Sequence, residues 1–376
     1  MNRFPENWPK TETALCHDWL TGMRGGERVL EILCEGFPEA EIHTLIANRE
    51  AVSQTINSHP IQTSWVQKIP GVFDRYRSML PLFPLAVKSL HPSPNTKLLV
   101  STSHCVAKSI ITAPDTRHLC YCFTPMRYAW TFYEEYFGKN PAKAMLAKPM
   151  LAALRNWDKA TASRVDRFVA ISHHVQKRIK KFYGRESDIV YPPVDTERCT
   201  PSNSPGNGGF DLIVSAMVPY KRLDLAIAAY NKLGYPLKVV GVGGQSELLR
   251  KTAADNIEFL GWQTDDDILE LYRSCRMLIF PGEEDFGIVP LEAQACGRPV
   301  VAYGCGGALE TVAENLSGIF FAEQTPDCLC DAVEKCAATK WNSASIRKHA
   351  QKFDTGNFIN GLADSMQRCL DQTTIF

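Results

Sequence analysis

Short apolar runs alternate with longer helix-like segments in both halves of the chain, and this alternation restricts the fold more than any other feature. The runs are continuously apolar, which is the pattern of strands buried on both faces of a parallel sheet. They lie at 13–16, 97–101, 117–122, 167–172 and 188–191 in the first half, and at 211–216, 237–241, 257–260, 277–281 and 299–303 in the second. Helix-like segments such as 224–234 lie between them. The pattern predicts an α/β fold with two doubly wound parallel sheets.

The segment 200–209, TPSNSPGNGG, separates the two halves. It is dense in Pro, Gly, Ser and Asn and has no apolar periodicity, so we predict a linker there. A chain of 376 residues also suits two domains better than one. We therefore expect an N-terminal Rossmann-like domain at 1–200, a C-terminal one at 201–353, and a last helix at about 354–376 that packs back on the first domain.

Composition argues against several other classes of protein. Lys and Arg total 41, as do Asp and Glu, so no net charge favours nucleic acid. The 13 cysteines are odd in number, and the close pairs Cys120/Cys122 and Cys328/Cys330 lack zinc-site spacing. Free thiols in a reducing compartment are therefore favoured over a disulfide or metal framework. The N-terminus has no apolar signal region, and no run reaches the roughly 18 apolar residues that span a bilayer. We expect a cytoplasmic protein.

The segment 281–312 carries the strongest functional signal, because ligands of parallel sheets bind where strands lead into helices. An acidic, glycine-containing loop precedes a helix that has Pro290 near its first turn. Free amides at such a helix start suit a phosphate. Glu284 and Glu292, with seven residues between them, suit the vicinal hydroxyls of a hexose and a ribose. The alternative is a Glu that complements the helix dipole and an ordinary surface Glu. The glycine turn at 304–307 favours the ligand interpretation.

A second signal follows the apolar run at 211–216. Lys221 and Arg222 lie where a helix begins, which is the unfavourable end for cations. Cations held there indicate an anionic ligand such as a pyrophosphate, and the alternative is a solvated basic turn. The glycine turn within 239–244 is a weak signal by itself, because such turns also serve helix–sheet packing.

Three stretches of the sequence resemble one known family. PGEEDFGIVPLEAQACGRPVVA is similar to the signature of the retaining nucleotide-sugar transferases of glycosyltransferase family 4, and VPYKRLDLAI and HDWLTGMRGGERVLE resemble the same family. The resemblance covers nearly the whole chain. It implies a GT-B fold, in which two Rossmann-like domains face each other across a cleft. It also implies a retaining hexosyltransferase that builds a cell-surface or exopolysaccharide glycan.

The resemblance also implies roles for individual residues. Glu284 would contact hydroxyls of the transferred sugar, Lys221 would neutralise the diphosphate leaving group, and Glu292 would hold the ribose. The other donor contacts that the resemblance and the basic turn suggest are Gly25, Gly26 and Arg222 near the diphosphate, Gly261, Trp262 and Gln263 near the base, and the backbone of Phe286, Gly287 and Ile288 near the sugar and phosphates.

We expect this transfer to need no metal ion and no cofactor. No D-x-D motif is in an obvious place, and the run Asp265–Asp267 is more typical of a helix start. Cations, helix N-termini and glycine amides would then balance the charge of the leaving diphosphate. Without a convincing nucleophile, we expect front-face attack in which a departing phosphate oxygen takes the acceptor's proton. The expected donor is a UDP-hexose, UDP-glucose first, with GDP-mannose next.

Two positions depart from the family pattern. Phe123 stands where related sequences often carry His, and Ala216 where many carry Arg. These departures leave open a nucleotide-sugar-binding module with little or no turnover. A nicotinamide oxidoreductase is a third hypothesis, but Gly22, Gly25 and Gly26 are mis-spaced for a dinucleotide fingerprint.

The first half is expected to bind the acceptor. The candidate contacts follow apolar runs and are Asp18, His104, Arg127 and Tyr128, with Arg127 ranked first. For each of them the alternative is a satisfied polar group of a loop.

Two basic amphipathic segments, 66–90 and 138–164, suggest an acceptor near a membrane. Such segments lie on anionic membranes in some proteins and are ordinary surface helices in others. The expected acceptor is accordingly a glycan or a lipid-linked sugar. Peripheral contact with the inner face of the plasma membrane is one of the two interpretations left open.

Overall fold

The computed structural model describes residues 3–131, 141–202 and 208–372, and in the helix that begins at Pro141 it describes side chains from residue 148 onward. The chain divides into two compact units, Met1–Pro192 with Phe358–Phe376, and Pro193–Asn357. The sequence placed this division at 200/201 and at about 354. The predicted linker at 200–209 lies partly outside the described residues, as do the start of the basic segment 138–164 and the last residues of the predicted terminal helix.

The first unit contains a parallel sheet of seven strands in the order β3-β2-β1-β4-β5-β6-β7. Its central strands are almost wholly buried, which explains their continuously apolar sequences. The strands are β1 (Thr13–His17), β2 (Glu41–Thr44), β3 (Ile61–Thr63), β4 (Leu98–Ser103), β5 (Arg117–Cys122), β6 (Arg167–Ala170) and β7 (Ser187–Ile189).

Helices and 3₁₀ turns cover this sheet. Ser172 caps one helix with its hydroxyl, which accepts from the Val175 amide, and Gly184 ends it with φ 70°. The helices are α1 (Gly25–Gly36), α2 (Gln54–Asn57), α3 (Val72–Arg75), α4 (Phe83–Val87), α5 (Arg127–Trp130), α6 (Pro141–Thr161) and α7 (His173–Tyr183). The 3₁₀ turns are Arg49–Ala51, Trp65–Lys68, Tyr76–Leu82, Ala107–Ser109 and Ala162–Arg164.

A buried ion pair ties α6 and α7 to the sheet. Lys108 is 1% exposed and Asp158 is fully buried, and Lys108 Nζ lies 2.9 Å from Asp158 Oδ1. Asp158 Oδ2 also accepts from Trp130 Nε1 at 2.7 Å and from the Tyr183 hydroxyl at 2.8 Å. The carboxylate is therefore shared by groups from three other segments, and its removal would leave each of them without this acceptor.

The second unit contains a parallel sheet of six strands in the order β10-β9-β8-β11-β12-β13. The strands are β8 (Asp211–Val214), β9 (Leu237–Val240), β10 (Ile257–Gly261), β11 (Leu278–Phe280), β12 (Val300–Tyr303) and β13 (Gly318–Phe321). Its helices are α8 (Leu223–Leu233), α9 (Ser246–Thr252), α10 (Asp265–Ser274), α11 (Ile288–Ala295), α12 (Ala308–Thr311), α13 (Pro326–Ala338) and α14 (Ser343–Ala350), and α15 (Thr355–Leu370) begins in this unit. The 3₁₀ turns are Pro219–Lys221 and Gln351–Phe353.

The last helix, α15, belongs to the first unit from Phe358 onward. There the Phe358 ring packs against Tyr121 of β5, with ring centroids 5.6 Å apart. Within the described parts of the chain, no helix is both long enough and apolar enough to cross a membrane. The two parallel sheets confirm the fold class that the apolar runs predict.

Candidate functional site

The candidate site lies at the carboxyl ends of the strands of the second unit. Strands β8 and β11 are neighbours in the sheet, so the loops that follow them meet. A Cβ atom on Gly282 would lie 2.8 Å from Lys221 Cα and 2.8 Å from the Tyr220 carbonyl oxygen. The loop after β11 therefore packs directly on the backbone of the turn Pro219–Lys221, and only glycine allows this approach.

This contact brings together the two residues predicted to be catalytic. Lys221 Nζ and Glu284 Oε1 form an ion pair, and the two side chains are 15% and 22% exposed. A partly buried ion pair of this kind keeps a cation and a hydrogen-bond acceptor side by side at the end of the sheet. A ligand with both a phosphate and a hydroxyl group would find a partner for each.

Helix α11 begins beside this pair. Gly287 precedes the helix with φ 108°, and no side chain caps it. The first amides of a helix have no acceptor within the helix, and the helix dipole makes this end favourable for anions. The start of α11 is therefore suited to a phosphate group, and the donor contacts of Gly287 and Ile288 stay predictions.

Glu292 lies within α11 and has a partner that the sequence analysis missed. The Tyr272 hydroxyl of α10 donates to Glu292 Oε2 at 2.8 Å. Burial, together with the charge of Glu292, raises the pKa of Tyr272, so the phenol stays protonated as a donor. Tyr272 thus holds one oxygen of Glu292 in place. An aromatic residue in an amphipathic helix gave no signal of this role.

The glycine turn after β12 supports the acidic loop. The Gly307 amide donates to the Glu284 carbonyl oxygen at 2.8 Å, and Gly306 has φ 63°. A Cβ atom on Gly307 would collide with the backbone of Phe286. The two glycine-containing loops thus pack backbone to backbone, which fixes where Glu284 and Phe286 lie.

The glycine turn after β9 packs against the loop after β8 and supports it. Gly241 has φ 127°, and a Cβ atom there would collide with the Ser215 carbonyl group. A Cβ atom on Gly243 would collide with the Met217 carbonyl group. Close packing therefore explains why glycine occupies positions 241 and 243. Ala216 lies in the loop that they hold.

Arg222 is turned toward different partners from Lys221. It has φ 53°, and its Nε lies 3.2 Å from Asp224 Oδ1 while Nη1 lies 2.9 Å from Gln324 Oε1. Gln324 Nε2 in turn donates to the Pro281 carbonyl oxygen at 2.9 Å. The structure places the Arg222 guanidinium in a network that supports the loop after β11, and its predicted contact with the donor stays a prediction.

The predicted base-contacting residues end the edge strand β10. Gly261 has φ 71°, and its carbonyl oxygen accepts from the Gly241 amide at 2.7 Å. Trp262 is 72% exposed, and Gln263 Nε2 donates to the Leu260 carbonyl oxygen at 2.8 Å. An exposed indole is suited to contact a planar base.

The run Asp265–Asp267 forms the first turn of α10. The Thr264 hydroxyl caps the helix by accepting from the Asp267 amide at 3.2 Å. Across the described ranges, no cluster of three or more His, Cys, Asp or Glu side chains is arranged to hold a metal ion.

Asp18 directly follows β1 of the first unit and is fully buried. Its two oxygens accept from the amides of residues 104–107, at distances of 2.6–2.9 Å. Burial raises the pKa of Asp18, but the charge and hydrogen bonds of His104 and the Ala107 amide lower it overall to about 2. The carboxylate of Asp18 thus accepts hydrogen bonds from backbone amides and contacts the His104 side chain. Its predicted contact with the acceptor stays a prediction.

The other predicted residues of the first unit lie near the carboxyl ends of β1 and β5. Gly25 begins α1, and a Cβ atom on Gly26 would lie 3.3 Å from the Phe123 ring. Arg127 and Tyr128 begin α5, and the Tyr128 ring packs against Trp19 with centroids 6.4 Å apart. The structure thus brings Gly26, Phe123 and Tyr128 to the same end of the sheet.

Residues 200–353 match the family model of glycosyl transferases group 1. This match covers less than half of the chain and includes the strands, loops and helices of the candidate site described in the second unit. The similarity to this family therefore lies in the second half of the chain.

Curated relatives are similar over part of the chain. An uncharacterized glycosyltransferase, MJ1178, of Methanocaldococcus jannaschii is 26% identical over 184 residues, which are 48% of this chain and 52% of the relative. A D-inositol 3-phosphate glycosyltransferase of Mycobacteroides abscessus is 29% identical over 234 residues, 56% of this chain and 51% of the relative. The chain thus spans about half the length of the curated relatives it matches.

Solved structures are similar over nearly the whole chain. Anabaena Alr3699/HepE in complex with UDP and glucose superposes with a TM-score of 0.69 at 17% identity, covering 95% of this chain and 99% of that one. The lipopolysaccharide outer core galactosyltransferase WaaB superposes with a TM-score of 0.65 at 15% identity, covering 95% and 99%. At these identities the likeness concerns the fold, and it confirms the predicted GT-B class.

Proposed function

We propose that this chain is a retaining, metal-independent hexosyltransferase that uses a nucleotide diphosphate sugar. The observation that carries the proposal is the ion pair of Lys221 and Glu284 beside the uncapped start of α11. A free phosphate site would need only the cation and the helix amides. The added carboxylates of Glu284 and Glu292 are acceptors for sugar hydroxyls, so the set of groups suits a ligand with phosphates and sugars together.

In the proposed complex, the diphosphate displaces Glu284 from Lys221 and takes the ammonium and the first amides of α11 as partners. Glu284 then accepts from hydroxyls of the hexose. Glu292, oriented by the Tyr272 hydroxyl, accepts from the ribose. Lys221 and Glu284, which pair with each other in the structure, thus each obtain a complementary partner from the donor.

The proposed reaction breaks the bond between the anomeric carbon and the diphosphate oxygen, and the bonding electron pair leaves with the nucleoside diphosphate. The acceptor oxygen bonds to the anomeric carbon on the same face, and its proton passes to a diphosphate oxygen. Configuration is retained without an enzyme nucleophile. Lys221 and the α11 amides stabilise the charge that develops on the leaving group.

A UDP-hexose is the proposed donor, with UDP-glucose first and GDP-mannose next. The complex of the structurally similar HepE with UDP and glucose supports this order. We further propose that the product is a cell-surface or exopolysaccharide glycan. The similar fold of a lipopolysaccharide galactosyltransferase supports that part of the proposal.

The proposed acceptor is a glycan or lipid-linked sugar, and the predicted basic amphipathic segment 66–90 of the first unit, with Trp65 directly before it, supports contact with a membrane. It exposes large apolar side chains between basic ones. These are Trp65, Phe73, Leu82 and Leu85, exposed by 41%, 40%, 37% and 59%, and Lys68, Arg75, Arg77 and Lys88. Apolar groups among cations suit the interface of an anionic membrane. We propose peripheral binding there, at the inner face of the plasma membrane.

Co-sedimentation with phosphatidylglycerol vesicles tests this contact. The Phe73→Ser/Leu85→Ser double variant should lose binding, whereas Ile111→Ser, at an apolar side chain 44% exposed outside this segment, should retain it. Equal binding by both variants would contradict the proposed surface. Equal binding to neutral phosphatidylcholine vesicles would contradict its electrostatic component.

Donor turnover tests the proposed activity. Purified protein should release UDP from UDP-glucose, or GDP from GDP-mannose, in the presence of EDTA. Lys221→Ala and Glu284→Gln should each reduce kcat at least about 100-fold, because each removes a group that meets the reacting end of the donor. Lys232→Ala is the control, since Lys232 pairs with Asp327 on the surface. A strict need for Mg²⁺ or Mn²⁺ would refute metal independence.

The same assay separates this proposal from a binding module with little or no turnover. Phe123 favours that alternative, since its ring stands where related sequences often carry an imidazole and packs near His17 at 6.5 Å between centroids. Micromolar binding of UDP-glucose by calorimetry with no UDP release would establish the binding module. Turnover by the natural sequence would exclude it.

A further inference from the structure

A cavity of about 670 Å³ lies within the second unit, away from the candidate site. Its lining includes Met277, which directly precedes β11, and Pro299, which directly precedes β12. Because these strands are parallel, their amino ends lie at the edge of the sheet opposite the loops that carry Lys221 and Glu284. The volume falls within the range of roughly 300–1,000 Å³ that is typical of small-molecule sites. The cavity is therefore separate from the place proposed for the donor.

The charge of this cavity is of one sign. It is lined by Arg276, Arg298 and Arg347, and none of its described lining residues is Asp or Glu. Arg276 is paired with the buried Asp211, with Nε 2.9 Å from Oδ1 and Nη2 2.7 Å from Oδ2. Within the described residues, Arg298 and Arg347 donate to carbonyl oxygens and pair with no carboxylate. Two positive charges are thus left for an anionic ligand to balance.

The hydrogen bonding of Arg298 is incomplete. Its Nη2 donates to the Arg273 carbonyl oxygen, whereas its Nε is buried and has no acceptor in the part of the chain that the structure describes. A buried donor without an acceptor is unfavourable. The side chain therefore gains hydrogen bonds when it turns toward an anion, and a guanidinium binds a phosphate through two parallel hydrogen bonds. Arg273 directly follows Tyr272, which orients Glu292, so this contact also leads to the candidate site.

Arg347 connects the cavity to α11. Its Nη1 donates to the carbonyl oxygens of Ala295 at 2.7 Å and Cys199 at 2.6 Å, and its Nη2 donates to the Thr196 carbonyl oxygen at 2.8 Å. Ala295 is the last residue of α11, at the end where the helix dipole favours a cation. The start of the same helix is the proposed phosphate site. An anion that draws Arg347 from Ala295 therefore acts on the helix that also carries Glu292.

The start of α14 and the Trp341 side chain complete the cavity. Ser343 and Ala344 are the first two residues of α14, and both line the cavity. The Asn342 side chain caps this helix by accepting from the Ser345 amide at 2.9 Å. The first two amides have no acceptor within the helix, and the helix dipole favours an anion near them. Trp341 also lines the cavity and adds an apolar wall for the carbon skeleton of a ligand.

We propose that this cavity binds an organic phosphate monoester such as a phosphorylated sugar. The phosphate takes Arg298, Arg347 and the first amides of α14 as partners. Binding there draws a cation from the carboxyl end of α11 and adds negative charge near it. It therefore weakens the binding of a diphosphate at the start of the same helix. The site goes beyond the proposed transferase function, and only its effect on the donor rests on that function.

Titration calorimetry of the full chain with glucose 6-phosphate tests the site, with glucose and inorganic phosphate as separate arms. Lys221→Ala is titrated in parallel, because this variant disables the proposed donor site and so reveals binding elsewhere. Arg298→Met keeps an apolar side chain of similar length and removes the cation. Lys340→Met is the matched control, since Lys340 is exposed and adjacent to Trp341 in sequence but is not among the described residues that line the cavity.

Ala344→Asp tests the same site without removing a side chain that supports the fold. Ala344 is exposed and is the second residue of α14, where a carboxylate complements the helix dipole. The added charge should repel a phosphate in the cavity while the helix stays at least as stable. A thermal melt of each variant checks the fold.

We expect glucose 6-phosphate to bind the natural protein, Lys340→Met and Lys221→Ala alike. Arg298→Met and Ala344→Asp should each weaken this binding about tenfold or more, and Ala344→Asp should melt like the natural protein. Glucose should not bind, and inorganic phosphate should bind more weakly than the monoester. Saturating glucose 6-phosphate should weaken UDP binding about fivefold, and UDP should weaken glucose 6-phosphate binding by the same factor. Ala344→Asp should abolish this mutual effect.

No binding of glucose 6-phosphate to the natural protein, or unchanged binding by Ala344→Asp, would overturn the site. Loss of binding in Lys221→Ala would place the probe in the donor site and would also overturn it. Equal affinity for inorganic phosphate would refute the organic ligand. Unchanged UDP affinity in the presence of glucose 6-phosphate would refute the effect on the donor while leaving the proposed function intact. Failure of UDP to bind at all would instead refute the proposed function, not the cavity site.

Discussion

Gly282→Ala offers the sharpest test of how the donor site is built. The new Cβ atom would lie 2.8 Å from Lys221 Cα, 2.8 Å from the Tyr220 carbonyl oxygen and 3.0 Å from the Lys221 carbonyl carbon. All three atoms belong to backbone, so no flexible side chain can give way. Ordinary contacts of this kind begin at about 3.4 Å, and the turn Pro219–Lys221 must therefore shift by roughly half an ångström or more.

The magnitude follows from this displacement. Overpacking of a close contact costs about 1–3 kcal/mol of unfolding free energy, which lowers the melting temperature by roughly 2–12 °C for a unit of this size. A misplacement approaching 1 Å costs up to about 100-fold in rate. Because the turn carries Lys221, we expect weaker UDP binding and a larger loss in kcat than the loss of stability alone would cause.

Calorimetric titration with UDP, a thermal melt and UDP release from UDP-glucose measure the three effects. Gly244→Ala is the matched control, because Gly244 lies in the turn after β9 at the same end of the sheet, and a Cβ atom there meets nothing within 4 Å. If Gly282→Ala melts, binds and turns over like the natural protein, the close packing of the two loops does not position Lys221 and the reasoning fails.

Three further predictions concern buried partners. Asp158→Ala should destabilise the first unit by about 3–5 kcal/mol in chemical denaturation, because it leaves the Lys108 charge buried and unpaired; a cost below 1 kcal/mol would contradict the buried pair. Tyr272→Phe should weaken UDP binding several-fold, measured by calorimetry, through loosening of Glu292, and unchanged affinity would show that the phenol does not support this carboxylate. The pKa of Asp18 is lowered from a usual 3.8 to about 2, so its ionisation stabilises the fold above pH 4, and this stabilisation is lost as the pH falls toward 2. The free energy of unfolding involved is about 2 kcal/mol. Asp18→Asn should remove this part of the acid dependence in urea melts from pH 2 to 5.

The fold class was predictable because the signal for it is local. Continuously apolar runs such as 97–101 and 117–122 report strands buried on both faces, and these lie in β4 and β5. Strand β2 was missed because three of the four residues in its sequence, EIHT, are polar although most of the strand is buried. Its partner β3 is short and mostly exposed. Sequence periodicity detects burial, and it fails where a strand buries polar groups or lies at an edge.

The sequence allowed the individual residues of the candidate site to be predicted, but not which of them contact each other. Lys221 and Glu284 stand out in the sequence for separate reasons, a cation at a helix start and a carboxylate in a glycine-containing loop. The ion pair between them depends on the neighbouring positions of β8 and β11 in the sheet. Arg222, adjacent to Lys221 in sequence, faces Asp224 instead.

The sequence by itself determined the parallel α/β architecture, the two halves and the loops that suit phosphates and sugars, because these depend on patterns within a few residues of one another. Only the tertiary structure decided which polar groups meet. Asp18 serves the amides of residues 104–107 because β1 and β4 lie side by side in the sheet. A buried carboxylate binds whatever donors the neighbouring strand supplies, and strand order is a property of the whole chain rather than of any segment.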